Sequence, residues 1–401
     1  MRLTILQYGG DYREAWDRLS GGGKETYQAQ RYSVNFVASL AKRMEQVAII
    51  CGLTDEPYDE VLSNGVRAIG AGLKPGFPPR DMVPLVARTN PDRLALVTPL
   101  VPVLRWAQLN RVRTVMTIAD SFNEKGARNA LKHRRLAYYL NRPNVEWIGN
   151  HGIGACMSLA RIGVKSDKII PWDWPPSHKP AQHAARKRDA SAPLSLVYVG
   201  KLIEQKGVGD LLRAVRLLRQ DGSTVSLTVV GRDNDGAMRS LADQLGCGDE
   251  IEFAGMIANE DIPATMRAAD AVVIPSRHEY PEGLPLTIYE ALATRTPIIA
   301  SDHPMFRGAL VHEESALVFR AGNIDGLGEA IKRIAADEKL YSDLSHNSEK
   351  AWKALQLPVI WDDVVGRWLF DGTDGEAWFR AHRFNSGAYA ELIRARTQLE
   401  A

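Results

Sequence analysis

The sequence predicts an α/β fold with two doubly wound domains, each a parallel β-sheet covered by helices on both faces. Short apolar runs rich in β-branched residues alternate with helix-compatible segments in both halves of the chain. This alternation is the pattern of successive strand–helix–strand units. Between the halves, residues 176–194 are rich in proline, alanine and charge and lack apolar periodicity, as expected of a linker. The 401 residues are enough for two domains with full-sized cores.

The first domain is expected to span residues 1–175. A helix at Tyr27–Met44 is indicated by an apolar stripe that includes Val34, Val37 and Leu40. A further helix is expected around Ala155–Arg161. Short apolar runs predict five strands, at Leu3–Gln7, Val47–Ile50, Leu94–Val97, Val112–Ile118 and Val145–Ile148.

The second domain is expected to span residues 195–356, with a tail at 357–401 that is rich in Trp and Phe and packs back on the body. The helix Val208–Leu218 turns its apolar residues inward, and Asp325 is the expected N-cap of a later helix. Parallel sheets bind ligands at the carboxyl ends of their strands, which predicts a cleft between the two domains. Six strands are predicted, at Leu196–Val199, Leu227–Val230, Ile251–Phe253, Ala271–Ile274, Pro297–Ala300 and Leu317–Phe319.

The composition is that of an ordinary globular protein, with 45% hydrophobic and 24% charged residues. No apolar run approaches the roughly 18 residues that a membrane span requires. Met1–Gln7 predicts a strand rather than a signal peptide. Cys51, Cys156 and Cys247 are widely spaced and match no metal-ligand pattern, so we expect no metal site and a cytoplasmic location.

Charge is distributed unevenly along the chain. Residues 1–175 contain 24 Lys and Arg against 16 Asp and Glu, whereas residues 190–401 contain 22 against 31. Such a basic face suits an anionic membrane surface, here the inner face of the membrane, or a phosphorylated acceptor, and an ordinary solvated face is the alternative. Nucleic acid is not an expected partner, because no binding motif accompanies the charge. The basic segment mixes cations with aromatic residues, at Arg105, Trp106, Arg111, Arg113, Lys125, Arg128, Lys132, Arg134, Arg135, Tyr138, Tyr139 and Arg142.

Two glutamates, Glu282 and Glu290, flank a predicted helix start, with seven residues between them. Gly283 and Pro285 form the loop before the helix, and Pro285 suits the first helical position. A helix N-terminus offers free N–H groups and a positive dipole end to a phosphate. Carboxylates on both sides of such a position predict a sugar nucleotide, with acceptors for hydroxyl groups flanking its diphosphate.

Two lysines lie between a predicted strand and the helix that follows it. Lys201 and Lys206 follow the strand Leu196–Val199, and Gly207 ends the turn. Lysines are usually surface residues, but the carboxyl end of a central parallel strand is a ligand-binding position. We therefore expect both lysines to hold the oxygens of a departing diphosphate.

Six segments of the second half resemble family 4 retaining glycosyltransferases, whose GT-B architecture consists of two Rossmann-like domains facing each other across a cleft. The first half matches more loosely, through Gly22-Gly-Lys-Glu25 and Lys168–Trp172. The six segments are Val199–Gly207, Thr228–Gly231, Phe253–Gly255, Ala268–Ser276, Glu282–Leu292 and Thr296–Ser301.

The resemblance implies a role for each matching residue. Lys201 and Lys206 would neutralise the diphosphate and take part in catalysis. Glu290 would accept hydrogen bonds from the ribose hydroxyls, and Glu282 would contact the donor sugar. Gly22, Gly23 and Glu25 would form a close-approach or acceptor loop. The remaining donor-binding positions would be Gly200, Gly255, Met256, Ile257, Gly283, Leu284 and Pro285.

Two residues depart from the family pattern. Lys201 stands where the family usually has Arg, so the charge is kept but the bidentate fork is lost. Asp120 stands where many members carry a histidine after the strand Val112–Ile118. Either Asp120 contacts the donor sugar or the acceptor in its place, or the site works without such a contact.

The resemblance implies a retaining, metal-independent transferase that needs no cofactor and moves a sugar from a UDP- or GDP-linked donor to an acceptor hydroxyl. The expected acceptor is a glycan or a lipid-linked molecule of bacterial surface polysaccharide or glycoconjugate synthesis. Two alternatives stay open: an epimerase or phosphorylase on the same two-domain plan, and a non-catalytic relative that binds nucleotide sugars.

Overall fold

The structure, a computed structural model, describes residues 1–124 and 126–398. Lys125 of the basic segment and residues 399–401 of the tail lie outside the described residues. The chain divides into two compact units. The first comprises residues 1–25, 29–175 and 357–393, and the second comprises residues 26–28, 176–356 and, as far as described, those from 394 onward.

The first unit is built on an eight-stranded sheet of order β3-β4-β2-β1-β5-β6-β7-β8. All of its pairings are parallel except that of β3 with β4. The five predicted strands are confirmed, whereas the hairpin β3–β4 and the last strand β8 were not predicted. The largely exposed β3 shows no apolar alternation, and β8 is only four residues long. The strands are β1 Arg2–Gln7, β2 Gln46–Cys51, β3 Pro57–Val61, β4 Arg67–Ala71, β5 Arg93–Leu96, β6 Arg113–Ile118, β7 Val145–His151 and β8 Ile169–Trp172.

Helices cover both faces of this sheet, and adjacent strand residues therefore enter two different apolar clusters. Leu6 and Met116 belong to one cluster, and Ile5 and Val115 to the other. The tail residue Trp361 is buried in the second cluster. The helices are α1 Tyr12–Ser20, α2 Gln30–Ala41, α3 Met82–Arg88, α4 Val101–Leu109, α5 Ala127–Leu140, α6 Ile153–Arg161, α13 Trp361–Phe370 and α14 Gly372–His382, and α15 Ala390–Gln398 lies where the two units divide.

The second unit is built on a six-stranded sheet of order β11-β10-β9-β12-β13-β14, in which every pairing is parallel. The six predicted strands are confirmed. The order reverses at β9, because β10 and β11 lie on one side of it and β12 to β14 on the other. The strands are β9 Leu194–Val199, β10 Val225–Val230, β11 Ile251–Gly255, β12 Ala271–Ile274, β13 Ile298–Ser301 and β14 Leu317–Phe319.

Two helix starts of the second unit differ from the prediction. Asn323, not Asp325, caps α11, because the Asn323 side chain accepts a hydrogen bond from the Gly326 N–H. Pro285 is the N-cap of α10 rather than its first helical residue. The helices are α7 Val208–Gln220, α8 Ala237–Gln244, α9 Ile262–Ala268, α10 Leu286–Ala293, α11 Ile324–Ala336 and α12 Glu338–Leu355. No helix in the described part of the chain is both long and apolar enough to span a membrane.

Glycines lie at the carboxyl ends of three neighbouring strands of the second sheet, and they extend its backbone pairing. The Gly200 N–H donates to the Val230 carbonyl at 3.0 Å, and the Gly231 N–H donates to the Gly255 carbonyl at 2.8 Å. A Cβ atom on Gly231 would lie 1.8 Å from the Gly200 carbonyl oxygen. Gly231 also has a φ of +149°, which L-residues rarely adopt. The close approach of the two strands at this edge therefore leaves no room for a side chain at Gly231.

We expect Gly231→Ala to destabilise the second unit by about 3 kcal/mol or more, because neither backbone strand can move aside without breaking the ladder. Gly222→Ala is the matched control, since Gly222 also has a positive φ but a Cβ there would meet no atom within 4 Å. The control should cost only about 1 kcal/mol. Urea unfolding midpoints measure the loss of stability in both variants. Equal midpoints for the two variants would contradict the steric argument.

Candidate functional site

The candidate site lies at the carboxyl edge of the second sheet, where the strand order reverses. One loop, Lys201–Gly207, follows β9, and a second, Pro275–Pro285, follows the neighbouring strand β12. Such a reversal opens a crevice between the loops of a doubly wound sheet, and ligands bind there. Both loops carry residues that the sequence assigned to a sugar nucleotide.

Backbone contacts hold the two loops together. A Cβ atom on Gly207 would lie 2.1 Å from the Pro275 carbonyl oxygen, so only glycine allows this approach. Gly207 also adopts a left-handed φ of +72°. The Arg277 N–H donates to the Gln205 carbonyl at 2.9 Å. The loops therefore form one packed structure.

Arg277 adds an ionic link between the same loops. Its guanidinium donates two hydrogen bonds to the carboxylate of Asp210, at 2.8 and 2.7 Å, and one to Glu204 at 2.7 Å. Asp210 lies in the first turn of α7 and is only 2% exposed. Hydrogen bonds to Asp210 raise the pKa of Arg277 further. Arg277 was not predicted as a site residue, although an arginine three residues after a buried strand was a usable signal.

Lys206 and Glu282, predicted separately, are brought together by this packing. The Lys206 Nζ donates to Glu282 Oε1 at 2.5 Å, and the Ser276 hydroxyl donates to the same oxygen at 3.0 Å. The ammonium also lies 4.6 Å from the centre of the Tyr280 ring, within cation–π range. Glu282 is only 6% exposed, so its negative charge depends on Lys206 as a counter-charge.

Glu290, one and a half turns into α10, is in a different electrostatic state. It is 8% exposed, and no group in the described part of the chain donates a hydrogen bond to its carboxyl. Burial alone raises the pKa of Glu290 to about 8. The side chain of Glu290 is therefore mostly protonated near pH 7.

The segment before α10 provides free backbone donors. Leu284 is buried, whereas Gly283 and Pro285 are half-buried. Among the described residues, no acceptor pairs with the N–H groups of Gly283 and Leu284. These amides and the positive end of the α10 dipole lie between the two glutamates in sequence, as the anion-binding prediction requires.

The other predicted donor residues line the same edge without contacting the Lys206–Glu282 pair. Lys201 is exposed, and its side chain has no ionic partner within residues 1–124 and 126–398. The Lys201 carbonyl accepts a hydrogen bond from the Tyr198 hydroxyl at 2.7 Å, which fixes the turn at Gly200. At the end of β11, Gly255 is followed by the exposed Met256 and the half-buried Ile257.

A buried histidine, absent from the prediction, closes the β12 loop. The His303 Nε2 donates to the Tyr280 carbonyl at 3.1 Å, and its Nδ1 accepts from the Met305 N–H at 3.2 Å. Burial lowers the pKa of His303 to about 4, so the ring is neutral at pH 7. His303 therefore supports Tyr280, the residue whose ring lies beside Lys206.

In the first unit, Asp120 lies just beyond β6 and is held by a buried neighbour. The Asp120 N–H donates to the Asn150 side-chain oxygen at 3.2 Å, and the Asn150 amide donates to the Asp120 carbonyl at 3.0 Å. Burial and the nearby Glu124 charge raise the pKa of Asp120 to about 6. The carboxyl itself has no hydrogen-bond partner among the described side chains. Asn150 thus positions the backbone and leaves the carboxyl available.

The glycine loop of the first unit is engaged in local packing. A Cβ atom on Gly23 would lie 2.6 Å from Arg18 Cγ, whereas Gly22 is unobstructed and has a positive φ. Glu25 accepts a hydrogen bond from the Arg31 N–H at 2.5 Å, near the start of α2. The acceptor role of these three residues stays a prediction.

Metal independence of the protein also stays a prediction. In the described residues, there is no group of three or more His, Cys, Asp or Glu side chains that could hold a metal ion.

Comparison with solved structures defines the class of fold. Sucrose-phosphate synthase from Thermosynechococcus elongatus superposes with a TM-score of 0.67 at 20% identity, over 95% of this chain and 100% of that one. HepE from Anabaena in complex with UDP-glucose superposes with a TM-score of 0.62 at 14% identity, over 100% and 98%. At these identities the likeness establishes the fold, which is the GT-B architecture of glycosyltransferases.

The similarity to a known family lies in the second unit. Residues 182–351, which are less than half of the chain, match the family described as Glycosyl transferases group 1. The amylovoran biosynthesis glycosyltransferase AmsK of Erwinia amylovora is 26% identical over 165 residues, which is 40% of each protein. The chain therefore spans about two fifths of the length of the curated relatives it matches.

We expect Arg277→Lys to destabilise the second unit by about 2 kcal/mol, because one ammonium cannot replace the bidentate contact and buried Asp210 loses a partner. Arg213→Lys is the control, since Arg213 reaches the same carboxylates only at 3.3 and 3.7 Å. Urea midpoints should fall clearly for the first variant and little for the second. An unchanged midpoint for Arg277→Lys would refute the proposed link between the loops.

Proposed function

We propose that the protein is a retaining, metal-independent glycosyltransferase. In this proposal it moves a sugar from a UDP- or GDP-linked donor to an acceptor hydroxyl. The donor would occupy the carboxyl edge of the second sheet.

The contrast between Glu282 and Glu290 carries the proposal. A buried carboxyl normally has a hydrogen-bond donor, because desolvation without one is costly. Glu290 has none within the described residues. Ribose hydroxyls would supply two donors, and they would favour the ionised carboxylate.

The donor diphosphate would meet positive charge from three sources. Lys206 would contribute an ammonium already oriented by Glu282, Ser276 and Tyr280. Lys201 would contribute an exposed ammonium that has no competing acidic partner in the described structure. The free N–H groups of Gly283 and Leu284, at the N-terminus of α10, would contribute partial positive charge. Two ammonium groups and a helix end can neutralise a diphosphate, which is why we propose no metal requirement.

The base and the sugar would lie on opposite sides of this diphosphate. The bare backbone at Gly200 and Gly231 allows close approach, and exposed Met256 offers an apolar surface to a base. Glu282 would contact the donor sugar, as the resemblance implies. HepE has been solved with UDP-glucose, which illustrates a nucleotide sugar bound to this architecture.

Catalysis would be mainly electrostatic. As the bond from the sugar to the diphosphate breaks, negative charge grows on the leaving oxygen, where Lys201, Lys206 and the α10 amides would stabilise it. The acceptor hydroxyl would form the new bond on the same face and pass its proton to that leaving oxygen. Asp120 would contribute a hydrogen bond to the donor sugar or the acceptor.

We propose bacterial surface polysaccharide or glycoconjugate synthesis as the setting. The support is the amylovoran biosynthesis glycosyltransferase among the relatives and the basic first unit. A lipid-linked acceptor would place the protein at the inner face of the membrane.

Transfer should depend strongly on Lys206. We expect Lys206→Ala to lose at least about 100-fold in kcat/KM, because it removes an oriented cation from the leaving group. The assay is release of nucleoside diphosphate from a panel of UDP- and GDP-sugars with and without candidate acceptors. Lys350→Ala is the control, since Lys350 is an exposed lysine paired with Glu314. Near-normal turnover of a well-folded Lys206→Ala variant would remove the basis for the proposal. Consumption of the donor by the native protein without any acceptor would instead indicate an epimerase.

Donor binding should release a proton from Glu290. In the free protein its pKa is about 8, so it is protonated at pH 7, and hydroxyl donors would lower that pKa. Affinity for the nucleotide sugar should therefore rise from pH 6 to pH 8 and then level off. Calorimetry in buffers of different ionisation enthalpy should detect proton release for the native protein and none for Glu290→Gln. Identical proton release by the native protein and the Glu290→Gln variant would show that a group other than Glu290 releases the proton.

The same pKa also predicts the pH dependence of stability. Because the folded pKa of Glu290 lies above the ordinary glutamate value of 4.5, the folded state binds more protons than the unfolded chain between these two pH values. The free energy of unfolding attributable to Glu290 should fall as pH rises from about 4.5 to about 8 and level off above that. Glu290→Gln should lack this fall.

A further inference from the structure

Residues at the end of β13 hold the loop Pro275–Pro285, which follows β12. Three consecutive residues there each make a hydrogen bond to a different residue of the loop, and the three loop residues lie two apart in sequence. The loop is therefore held from the β13 side as well as from the β9 side. The three bonds run from the Ser301 hydroxyl to the Ser276 carbonyl at 2.6 Å, from His278 Nε2 to Asp302 Oδ1 at 2.7 Å, and from His303 Nε2 to the Tyr280 carbonyl at 3.1 Å.

Tyr280 is fixed at both of its backbone polar groups. Its N–H donates to the Arg277 carbonyl at 3.1 Å, and its carbonyl accepts from the Glu282 N–H at 2.7 Å as well as from His303. Pro281 follows Tyr280 in the sequence, and a following proline restricts a residue to extended conformations. The backbone therefore holds the Tyr280 side chain in one place beside Lys206.

The Tyr280 ring holds the Lys206 ammonium in a different way from Glu282. Glu282 pairs with the ammonium through its carboxylate, so the positive charge is largely cancelled. The centre of the Tyr280 ring lies 4.6 Å from Lys206 Nζ, and its attraction comes from the ring quadrupole, which has no net charge. The ring therefore restrains the ammonium and leaves its charge available to an anionic ligand.

The Tyr280 hydroxyl is a hydrogen-bond donor without an acceptor. It has no partner within residues 1–124 and 126–398, and it is open to solvent although Tyr280 is half-buried. The neighbouring Tyr198 shows the usual arrangement, since its hydroxyl donates to the Lys201 carbonyl at 2.7 Å. Burial and the Glu282 charge raise the pKa of Tyr280, so the phenol stays neutral at pH 7 and keeps its proton.

These features indicate which group of a ligand would bind here. A hydroxyl donates its strongest hydrogen bonds to a charged oxygen. An oxyanion that binds the Lys206 ammonium would also meet the hydroxyl of the ring beside it. Glu282, the residue proposed to contact the donor sugar, lies two positions after Tyr280 in the sequence. The phosphate concerned is therefore the one that carries the sugar.

We propose that Tyr280 is a further donor-binding residue, whose hydroxyl donates a hydrogen bond to the sugar-linked phosphate of the nucleotide sugar. The inference rests on the proposed function, which places the donor diphosphate at Lys206. This hydrogen bond strengthens as negative charge grows on the leaving phosphate, so it also contributes to catalysis. His303 is then a positioning residue, because it acts on the phosphate through the Tyr280 backbone.

Calorimetric titration of the full chain with UDP, UMP, GDP and GMP tests this contact. The native protein should bind one of the two diphosphates more tightly than the matching monophosphate, because the second phosphate meets Lys206 and Tyr280. Tyr280→Phe keeps the ring and removes the hydroxyl. This variant should bind that diphosphate about tenfold more weakly, as expected for a hydrogen bond to a charged group, and the monophosphate almost as the native protein does.

Two further variants separate the ring from the hydroxyl and test for general damage. Tyr280→Leu removes the ring as well, so it should bind the diphosphate more weakly than Tyr280→Phe and lower the kcat of transfer. Tyr341→Phe is the matched control, because it removes another hydroxyl without a partner in the described structure. Tyr341 lies in α12 near Asp270, which precedes β12 at the opposite edge of the sheet. The control should bind both nucleotides like the native protein.

The outcomes distinguish this inference from the proposed function. Native affinity of Tyr280→Phe for the diphosphate, or an equal loss for the diphosphate and the monophosphate, would overturn the inference and leave the proposed function standing. A loss that appears only with UDP-glucose or GDP-mannose would assign the contact to the sugar and overturn the phosphate assignment. If the native protein binds neither diphosphate and neither nucleotide sugar, the proposed function itself fails.

Discussion

The candidate site depends on the ion pair between Arg277 and buried Asp210. Arg277 follows β12 and Asp210 lies in α7, so their bidentate contact joins the two loops that leave the sheet where its order reverses. Gly207 permits the contact, because any side chain there would collide with the Pro275 carbonyl. Lys206 and Glu282 meet only because these loops are held together. This ion pair thus helps to fix where the Lys206 charge lies.

The two glutamates show how one short motif can hold two buried carboxyl groups in different surroundings. Glu282 precedes the helix and receives hydrogen bonds from Lys206 and Ser276, which favour its charge. Glu290 lies inside the helix, where burial raises its pKa to about 8. Both are almost fully buried, so exposure does not distinguish them. The difference arises from their partners. It fits the proposed roles, in which Glu282 orients the Lys206 ammonium and contacts the donor sugar, and Glu290 binds the ribose hydroxyls.

Sequence alone predicted the parts of the fold that rest on apolar periodicity. All eleven predicted strands are present, and each is a short apolar run, whereas the exposed edge strand Pro57–Val61 and the more buried strands Arg67–Ala71 and Ile169–Trp172 were missed. Helix α11 was placed correctly, but its N-cap is Asn323, since two neighbouring residues could each cap it. Among site residues, Lys206 and Glu282 were assigned to the same ligand. Their direct contact could not be foreseen, because it depends on Arg277, whose partner lies 67 residues away.

Asp120 shows what replacing a histidine by a carboxyl changes chemically. A neutral histidine can donate one hydrogen bond and accept another, whereas an ionised carboxylate can only accept. The pKa of Asp120 is raised to about 6, so its protonated fraction, which can donate, falls as pH rises through that value. Asn150 holds the Asp120 backbone through two hydrogen bonds and leaves the carboxyl free to meet a hydroxyl group. Near neutral pH, Asp120 is therefore suited to accept a hydrogen bond from a sugar hydroxyl, and its negative charge makes it unsuited to contact the diphosphate.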